Sequence, residues 1–342
     1  MIIWLASYPK SGNTLLRSIL SSYFYTKDGE FSFKNLDNIS QFPLTSQFMS
    51  LGINIDNDEE VFKNFINVQN FLNQEKGKVK FYKTHSALSK MHGSNFTDLK
   101  NTLGVIYIVR DPRNLVTSLA HHSDLSIEEA ANTMIDNSKY LVKSVKNCRV
   151  FLGSWNSNYN SWKNLQIKKK YLLIKYEDLI NRKKTTMLKI FKFLERLGMK
   201  YQFDIVKLNK AIKSTDFKKV KNLEQKETFY EGVLDIKTGK RKTFFNLGPS
   251  NDWRKLLDDK IVAKQILSNH NIPVSKFIRF NLKNSNFLTE WFTMNGLYFN
   301  FPIEIKNISL GEKNIVKFDA YTKNNISIIQ YFSTLEQKLL DF

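Results

Sequence analysis

Short apolar runs separated by polar turns recur along the first half of the chain. Ile2 to Ala6 is one such run, leading straight into Tyr8-Pro9-Lys10-Ser11-Gly12-Asn13-Thr14. Behind that turn Leu15, Leu16, Ile19, Leu20 and Tyr23 fall at helical spacing. A second run, Val79 to Lys83, ends at Thr84-His85. A third, Gly104 to Val109, is almost continuously apolar, as a parallel strand buried on both faces would be. It stops at Arg110-Asp111-Pro112-Arg113, after which Leu115 to His122 reads as helix. Tyr171 to Lys175 predicts a fourth strand, followed by Tyr176-Glu177-Asp178-Leu179. Helical patterns are expected over roughly 127–165 and 183–198.

Strands alternating with helices predict an α/β fold built on a doubly wound, mostly parallel sheet. Ligands of such sheets sit outside the carboxyl ends of the strands. Lys10, His85, Arg110 and Tyr176 each follow a predicted strand, so one rim should gather them. No internal repeat of solenoid period is present. Near residue 268 the composition shifts toward Phe, Ile and Asn, which predicts a main domain over 1–268 and a small β-containing C-terminal appendage over 269–342.

Composition narrows the setting. Of 342 residues, 42% are hydrophobic and 13% aromatic, enough for a substantial core, while 13 Gly and 6 Pro exclude collagen-like and low-complexity classes. No apolar run approaches the ~20 residues of a membrane-spanning helix, and Met1 to Ala6 is too short for a signal peptide. The single cysteine, Cys148, excludes an internal disulfide framework and fits a reducing compartment, so a soluble, cytoplasmic protein is expected. Five scattered histidines with one cysteine argue against a structural zinc. The formal charge of +20 favours an anionic partner: nucleic acid, an acidic lipid surface or a phosphate-rich small molecule. Lysines coating a solvated surface would give the same number, so position has to decide.

Three groups of residues carry candidate chemistry. In the first turn Gly12 lets the backbone approach an anion, Lys10 supplies charge, and Ser11 and Thr14 supply hydroxyls at a helix start. The same residues also suit a plain helix cap by Ser11 or Asn13, and they are not a Walker A sequence. Arg110 at a strand end and Ser118 eight residues on can reach one phosphate from two sides. Against that stand an ion pair of Arg110 with Asp111 or Asp178, and a Ser118 bonded to its own helix. In Lys83-Thr84-His85, a histidine beside the anion site suits proton transfer. His121-His122 are rivals read as supporting or surface groups, and His92 and His270 have no supporting context.

These residues resemble a known family. Tyr8-Pro9-Lys10-Ser11-Gly12-Asn13-Thr14 is similar to the 5′-phosphosulfate loop of sulfotransferases that use 3′-phosphoadenosine 5′-phosphosulfate (PAPS), and Val109-Arg110-Asp111-Pro112-Arg113-Asn114 through Ser118 resembles their 3′-phosphate site. Lys83-Thr84-His85 resembles the K-x-H that carries the catalytic histidine. Gly153-Ser154-Trp155 to Trp162, Tyr176-Glu177-Asp178-Leu179 and Thr215-Asp216-Phe217 also match, the tyrosine and the last group implying adenine contacts. Phe244 to Trp253, with Gly248, resembles the late R-K-G-x-x-G-D-W segment. Two departures stand out. Asn246-Leu247 replaces the basic pair before Gly248, leaving Arg241 or Lys242 to compensate, and Leu15 replaces the aromatic that stacks on adenine. A lost stack is worth about 1–3 kcal/mol of nucleotide affinity.

The resemblance, over roughly residues 1–268, implies a P-loop-like sulfotransferase without a metal or covalent intermediate. His85 would act as base, Lys10 and Lys83 would meet the transferring group, and Ser11, Gly12, Asn13, Thr14, Arg110, Ser118, Tyr176, Thr215, Phe217 and Gly248 would hold PAPS. The acceptor would be a hydroxyl or amine on a small molecule, glycan or lipid, shaped by loops near 35–75 and 121–135. A P-loop-type kinase or NTPase and a basic nucleic-acid-binding protein are the alternatives. Against them stand the missing Walker A lysine and the absence of helix-turn-helix, zinc-finger or RNP signatures. In the tail, Asn271-Ile272-Pro273-Val274 and Phe301-Pro302-Ile303-Glu304-Ile305-Lys306 weakly resemble the opening of an ATP-grasp domain.

Overall fold

The structure is a computed structural model that describes residues 1–256, apart from 76, 166, 228, 230 and 233–241, together with strands at 303–310 and 316–322. Four strands form its sheet: β1 (Ile2–Ser7), β2 (Lys80–Thr84), β3 (Thr102–Val109) and β4 (Tyr171–Lys175). They lie in the order β2-β1-β3-β4, and every neighbouring pair is parallel. Ala6 sits opposite Thr84 on one side and Tyr107 on the other, so three strands end nearly level. That register delivers the turn after β1, His85 after β2 and Arg110 after β3 to the same rim.

Alternation along the strands sorts the core into two layers, because successive side chains point to opposite faces. Ile3, Leu5, Phe81, Ile106, Ile108, Leu172 and Ile174 pack on one face. There they meet Leu16, Ile19 and Leu20 of helix α1 (Asn13–Tyr25) and Ile190, Phe191 and Leu194 farther along the chain. Ile2, Trp4, Tyr82, Val105 and Tyr107 pack on the other face, against Phe42, Phe48, Phe62, Phe65, Phe96 and Trp162. Both faces are covered by helices, which is why the strands read as unbroken apolar runs.

Helix α2 (Pro112–Ser123) starts from Asp111, whose carboxylate accepts from the Arg113 N–H. The long helix expected over 127–165 is two helices, α3 (Ile127–Ile135) and α4 (Trp155–Lys163), separated by a small antiparallel hairpin pairing Tyr140-Leu141 with Val150-Phe151. Residues 142–146 are exposed and have no apolar face to bury, so helical spacing there lacks a driving force. Helix α5 (Tyr176–Asn181) follows β4 directly, and α6 (Lys183–Arg196) covers the expected 183–198. Helices α7 (Ile205–Ser214) and α8 (Phe217–Lys226) complete the wall beside the rim.

The chain divides into two compact units, Met1–Ser275 and Lys276–Phe342. The boundary expected at 268 falls outside the described residues. Within the second unit, β5 (Ile303–Leu310) and β6 (Val316–Thr322) form an antiparallel pair. No helix among the described residues is long and apolar enough to cross a membrane.

Candidate active site

The turn between β1 and α1 is built around two left-handed residues, Lys10 at φ 66° and Gly12 at φ 97°. Residues of this kind tip successive N–H groups toward one side, the geometry that binds anions at a helix start. Gly12 is the N-cap of α1, and no side chain caps the helix, so the plain capping reading for Ser11 or Asn13 does not describe this turn. Asn13 instead ties the turn to its strand, donating through Nδ2 to Leu5 O at 2.8 Å and to Ser7 Oγ at 3.1 Å.

A cavity of about 1220 Å³ opens above this turn at the carboxyl ends of the strands. Lys10, Gly12, Asn13, Thr14, Lys83, His85, Arg110, Ser118, Tyr176, Thr215, Phe217 and Gly248 all line it. Ser11 does not; it is buried behind the turn, its hydroxyl without a protein partner, leaving its backbone as its route to a ligand. Thr215 reaches the wall, but its hydroxyl donates to Ala211 O at 2.7 Å and so closes the end of α7.

Arg110 is only 5% exposed and clamps the turn itself, donating from Nη1 to Lys10 O at 2.9 Å. Its guanidinium lies 4.5 Å over the Tyr176 ring, and its Nε has no protein partner. The ion pair with Asp111 is absent because Arg113 takes that carboxylate, Nη2 to Oδ2 at 2.6 Å. Arg110 lines the cavity as a buried cation without a carboxylate partner among the described residues, and such a charge favours an anion beside it. Thus a buried arginine and an open helix N-terminus flank the same space, which fits a ligand anionic at both ends.

His85 donates from Nδ1 to Ser7 O at 2.7 Å; a carbonyl only accepts, so that ring nitrogen carries the proton and Nε2 holds the lone pair. Burial, then the nearby Lys83 charge, pushes its pKa down to about 3, and the ring is neutral at physiological pH. Burial likewise lowers Lys10 to about 7, with Lys83 and Arg110 adding repulsion. Lys10 Nζ rests 3.8 Å from the centre of the Phe244 ring. His122 also lines the cavity, edge-on to Phe244, and burial with the Lys10 charge brings it to about 3.

Three features escaped the sequence reading. Glu231 reaches into the cavity and pairs with Lys83, Oε2 to Nζ at 3.1 Å, and with Arg17. Burial favours its protonated form, but the charges of Lys83 and Arg17 outweigh burial and hold it well below the usual carboxylate range. Phe244 carries the Lys10 contact described above. The hairpin of residues 140–151 supplies Leu141 and Asn147 to the wall, where continuous helix was expected. Asn246 and Leu247 stand on the wall, and Lys221 donates to Asn246 O at 2.7 Å. Lys242 does not compensate for the missing basic pair, for its ammonium turns to Asp124 Oδ1 at 2.6 Å; Arg241 lies outside the described residues. Leu15 lines the cavity at the position where the resemblance places a stacking aromatic. Among the described residues no group of three or more His, Cys, Asp or Glu is arranged to hold a metal.

Residues 2–266 match the family model described as Sulfotransferase domain. Among individual relatives, Sulfotransferase 2A2 of Rattus norvegicus is 29% identical over 158 residues, 44% of this chain and 49% of that protein. The 3-beta-hydroxysteroid sulfotransferase of Cavia porcellus is 28% identical over 151 residues, with the same coverage of 44% and 49%. The chain thus spans about half the length of the curated relatives it matches. Among solved structures, mouse sulfotransferase SULT7A1 complexed with PAP (adenosine 3′,5′-bisphosphate) superposes with a TM-score of 0.50 at 20% identity, covering 79% of this chain and 84% of that one. Retinol dehydratase in complex with androsterone and inactive cofactor PAP gives 0.50 at 17% identity, covering 82% and 83%. These two likenesses bear on the fold.

Proposed function

This chain belongs to the sulfotransferase domain family, and from that premise we propose that it moves a sulfuryl group from PAPS to a hydroxyl or amine acceptor. The observation that carries this reading is the clamp between Arg110 and the turn after β1: Nη1 meets Lys10 O at 2.9 Å. Arg110 and the turn, a hundred residues apart in sequence, thereby join in the lining of one cavity. PAPS, charged at its 3′-phosphate and at its 5′-phosphosulfate, suits a cavity bordered by both.

When bound, PAPS supplies an electrophilic sulfur and a nucleotide leaving group. Arg110 and Ser118 hold the 3′-phosphate, so binding energy remote from sulfur positions the reacting end. Tyr176 and Phe217 border the adenine. Gly12, Asn13 and Thr14 present backbone N–H groups to the 5′ end, and Lys10 meets the charge that grows on the bridging oxygen as the sulfur–oxygen bond breaks. His85 Nε2 takes the proton of the acceptor as its oxygen or nitrogen bonds to sulfur. Beside Lys83 that imidazolium is disfavoured, and a negative group held at Lys83 offsets part of the repulsion.

The acceptor is proposed to be a small molecule, glycan or lipid. Leu36, Leu44, Leu125, Leu141 and Leu152 give the remaining wall an apolar lining, while Ser40, Gln41 and His121 interrupt it. The relatives named for hydroxysteroids make a hydroxyl on an apolar body the first acceptor to try. A cytoplasmic setting fits the buried free thiol of Cys148. Transfer of radiolabelled sulfate from PAPS to an acceptor panel tests the assignment. Incorporation that disappears in Lys10→Ala and His85→Ala is expected; incorporation by no acceptor, or full activity of both variants, overturns it.

A further inference from the structure

One carboxylate oxygen already occupies two of the groups expected to serve the donor. Glu231 Oε2 lies 3.2 Å from Thr14 Oγ1 and 3.1 Å from Lys83 Nζ, while Oε1 meets Nη1 of Arg17. Arg17 belongs to none of the motifs above. It is 4% exposed, and its guanidinium is fixed by the chain behind it, Nε donating to Ile39 O at 3.1 Å and Nη2 to Leu36 O at 3.1 Å. Those two bonds satisfy a structural role and leave Nη1 directed at the cavity. Lys83, 6% exposed, stands beside it. Glu231 differs from both: its side chain lines the cavity and is 26% exposed.

Two buried cations therefore share one carboxylate, and the seat keeps a net positive charge. Buried cations of this kind require an anion, since desolvating them unpaired costs several kcal/mol each. The group seated there is planar and anionic, with oxygens meeting one guanidinium N–H, an ammonium and a hydroxyl. A sulfuryl group in flight has the same character: as its bond to the nucleotide loosens it flattens, with negative charge on its oxygens, as a transferring phosphoryl group does.

We propose that Thr14, Arg17 and Lys83 form an oxyanion seat for the transferring sulfuryl group, and that the Glu231 carboxylate is its stand-in, displaced when the donor binds. Arg17 thereby becomes a ligand of the reacting group, and Glu231 the residue that sets how tightly a sulfuryl-bearing nucleotide is held relative to one without. This rests on the cavity being the PAPS site. PAP lacks the sulfuryl group, so it leaves Glu231 in place; PAPS has to expel it.

Calorimetric titration of PAP and of PAPS into the wild type, Glu231→Gln and Arg17→Lys tests the seat. Glu231→Gln is expected to tighten PAPS about tenfold and to change PAP less than twofold. Arg17→Lys, which keeps the charge but loses the Nη1 donor held in place by the Ile39 and Leu36 carbonyls, is expected to weaken PAPS at least fivefold with PAP unchanged. Should Arg17→Lys fail to fold, Glu231→Gln still decides, because that side chain is partly exposed and the substitution keeps its size. Equal shifts for both nucleotides, or PAPS weakened by Glu231→Gln, overturn the seat while leaving the sulfotransferase reading intact. Binding of neither nucleotide by the wild type overturns both.

Discussion

Gly12 and Tyr176 approach so closely that a Cβ built on Gly12 would lie 2.4 Å from Cδ2 of the tyrosine ring. The same glycine holds φ 97°, a left-handed conformation that side chains disfavour by about 1–3 kcal/mol. Two independent constraints thus select glycine at the point where the turn must expose its N–H groups. Tyr176 is also the ring beneath Arg110, so displacing it disturbs both proposed ends of the nucleotide. Gly12→Ala is expected to weaken PAP binding at least a hundredfold while lowering the melting temperature only a few degrees. Titration of PAP with a thermal melt of the same sample checks this; unchanged affinity would show that the turn does not hold the nucleotide.

Lys10 gives the site a pH dependence. Its pKa in the empty cavity is brought down to about 7 by burial and by Lys83 and Arg110, so above pH 7 the free protein increasingly carries a neutral amine. An anion bound beside it favours the ammonium, and binding above pH 7 must therefore take up a proton. PAP affinity is expected to fall as pH rises from 7 to 9, approaching tenfold per unit. Lys10→Arg, charged throughout, should flatten the profile. Titrations across that range check both halves of the statement.

Much of this arrangement was legible in the residues, for identifiable reasons. The strands were readable because both faces of the sheet are buried, which forces apolar runs such as that of β3. The left-handed turn after β1 was readable because its polar residues and its glycine are contiguous from Lys10 to Thr14. Glu231 was not, since its partner Arg17 lies 214 residues away and neither stands in a local motif. Arg17 reads on sequence as one polar position in the apolar pattern of α1, and only the Leu36 and Ile39 carbonyls explain its burial. The hairpin at 140–151 was hidden because its ladder is two residues long, too short to impose an alternating pattern.

His85 separates chemistry from binding. Its bond to Ser7 O fixes the tautomer with Nε2 open, and its low basicity in the empty site keeps it neutral down to about pH 3. Removing it should leave the phosphate contacts untouched. His85→Ala is expected to lower kcat by 10²–10⁴, the usual worth of a positioned base, with the Kd for PAP within twofold of wild type. Equal losses in both would instead assign His85 to the binding wall.

The segment before Gly248 offers a gain-of-function test. Gly248 itself is fixed by Phe217, whose Cε2 would stand 2.1 Å from an added Cβ, and Gly248 takes a positive φ of 51°. The adenine side of the cavity therefore has its backbone in place, but Asn246 and Leu247 bring no charge to it. Leu247 is 37% exposed, and Asn246 is held through its backbone carbonyl by Lys221, so both side chains can change without breaking a buried contact. Asn246→Arg combined with Leu247→Lys puts two cations beside the 3′-phosphate. Partly exposed charge-assisted hydrogen bonds are worth about 1.5–3 kcal/mol each at most. PAP affinity is expected to rise at least tenfold, with a steeper salt dependence, whereas adenosine 5′-phosphate, which lacks the 3′ group, should gain less than twofold. Equal gains for the two nucleotides would place the 3′-phosphate away from Arg110 and Ser118, and with it the orientation of the donor proposed above.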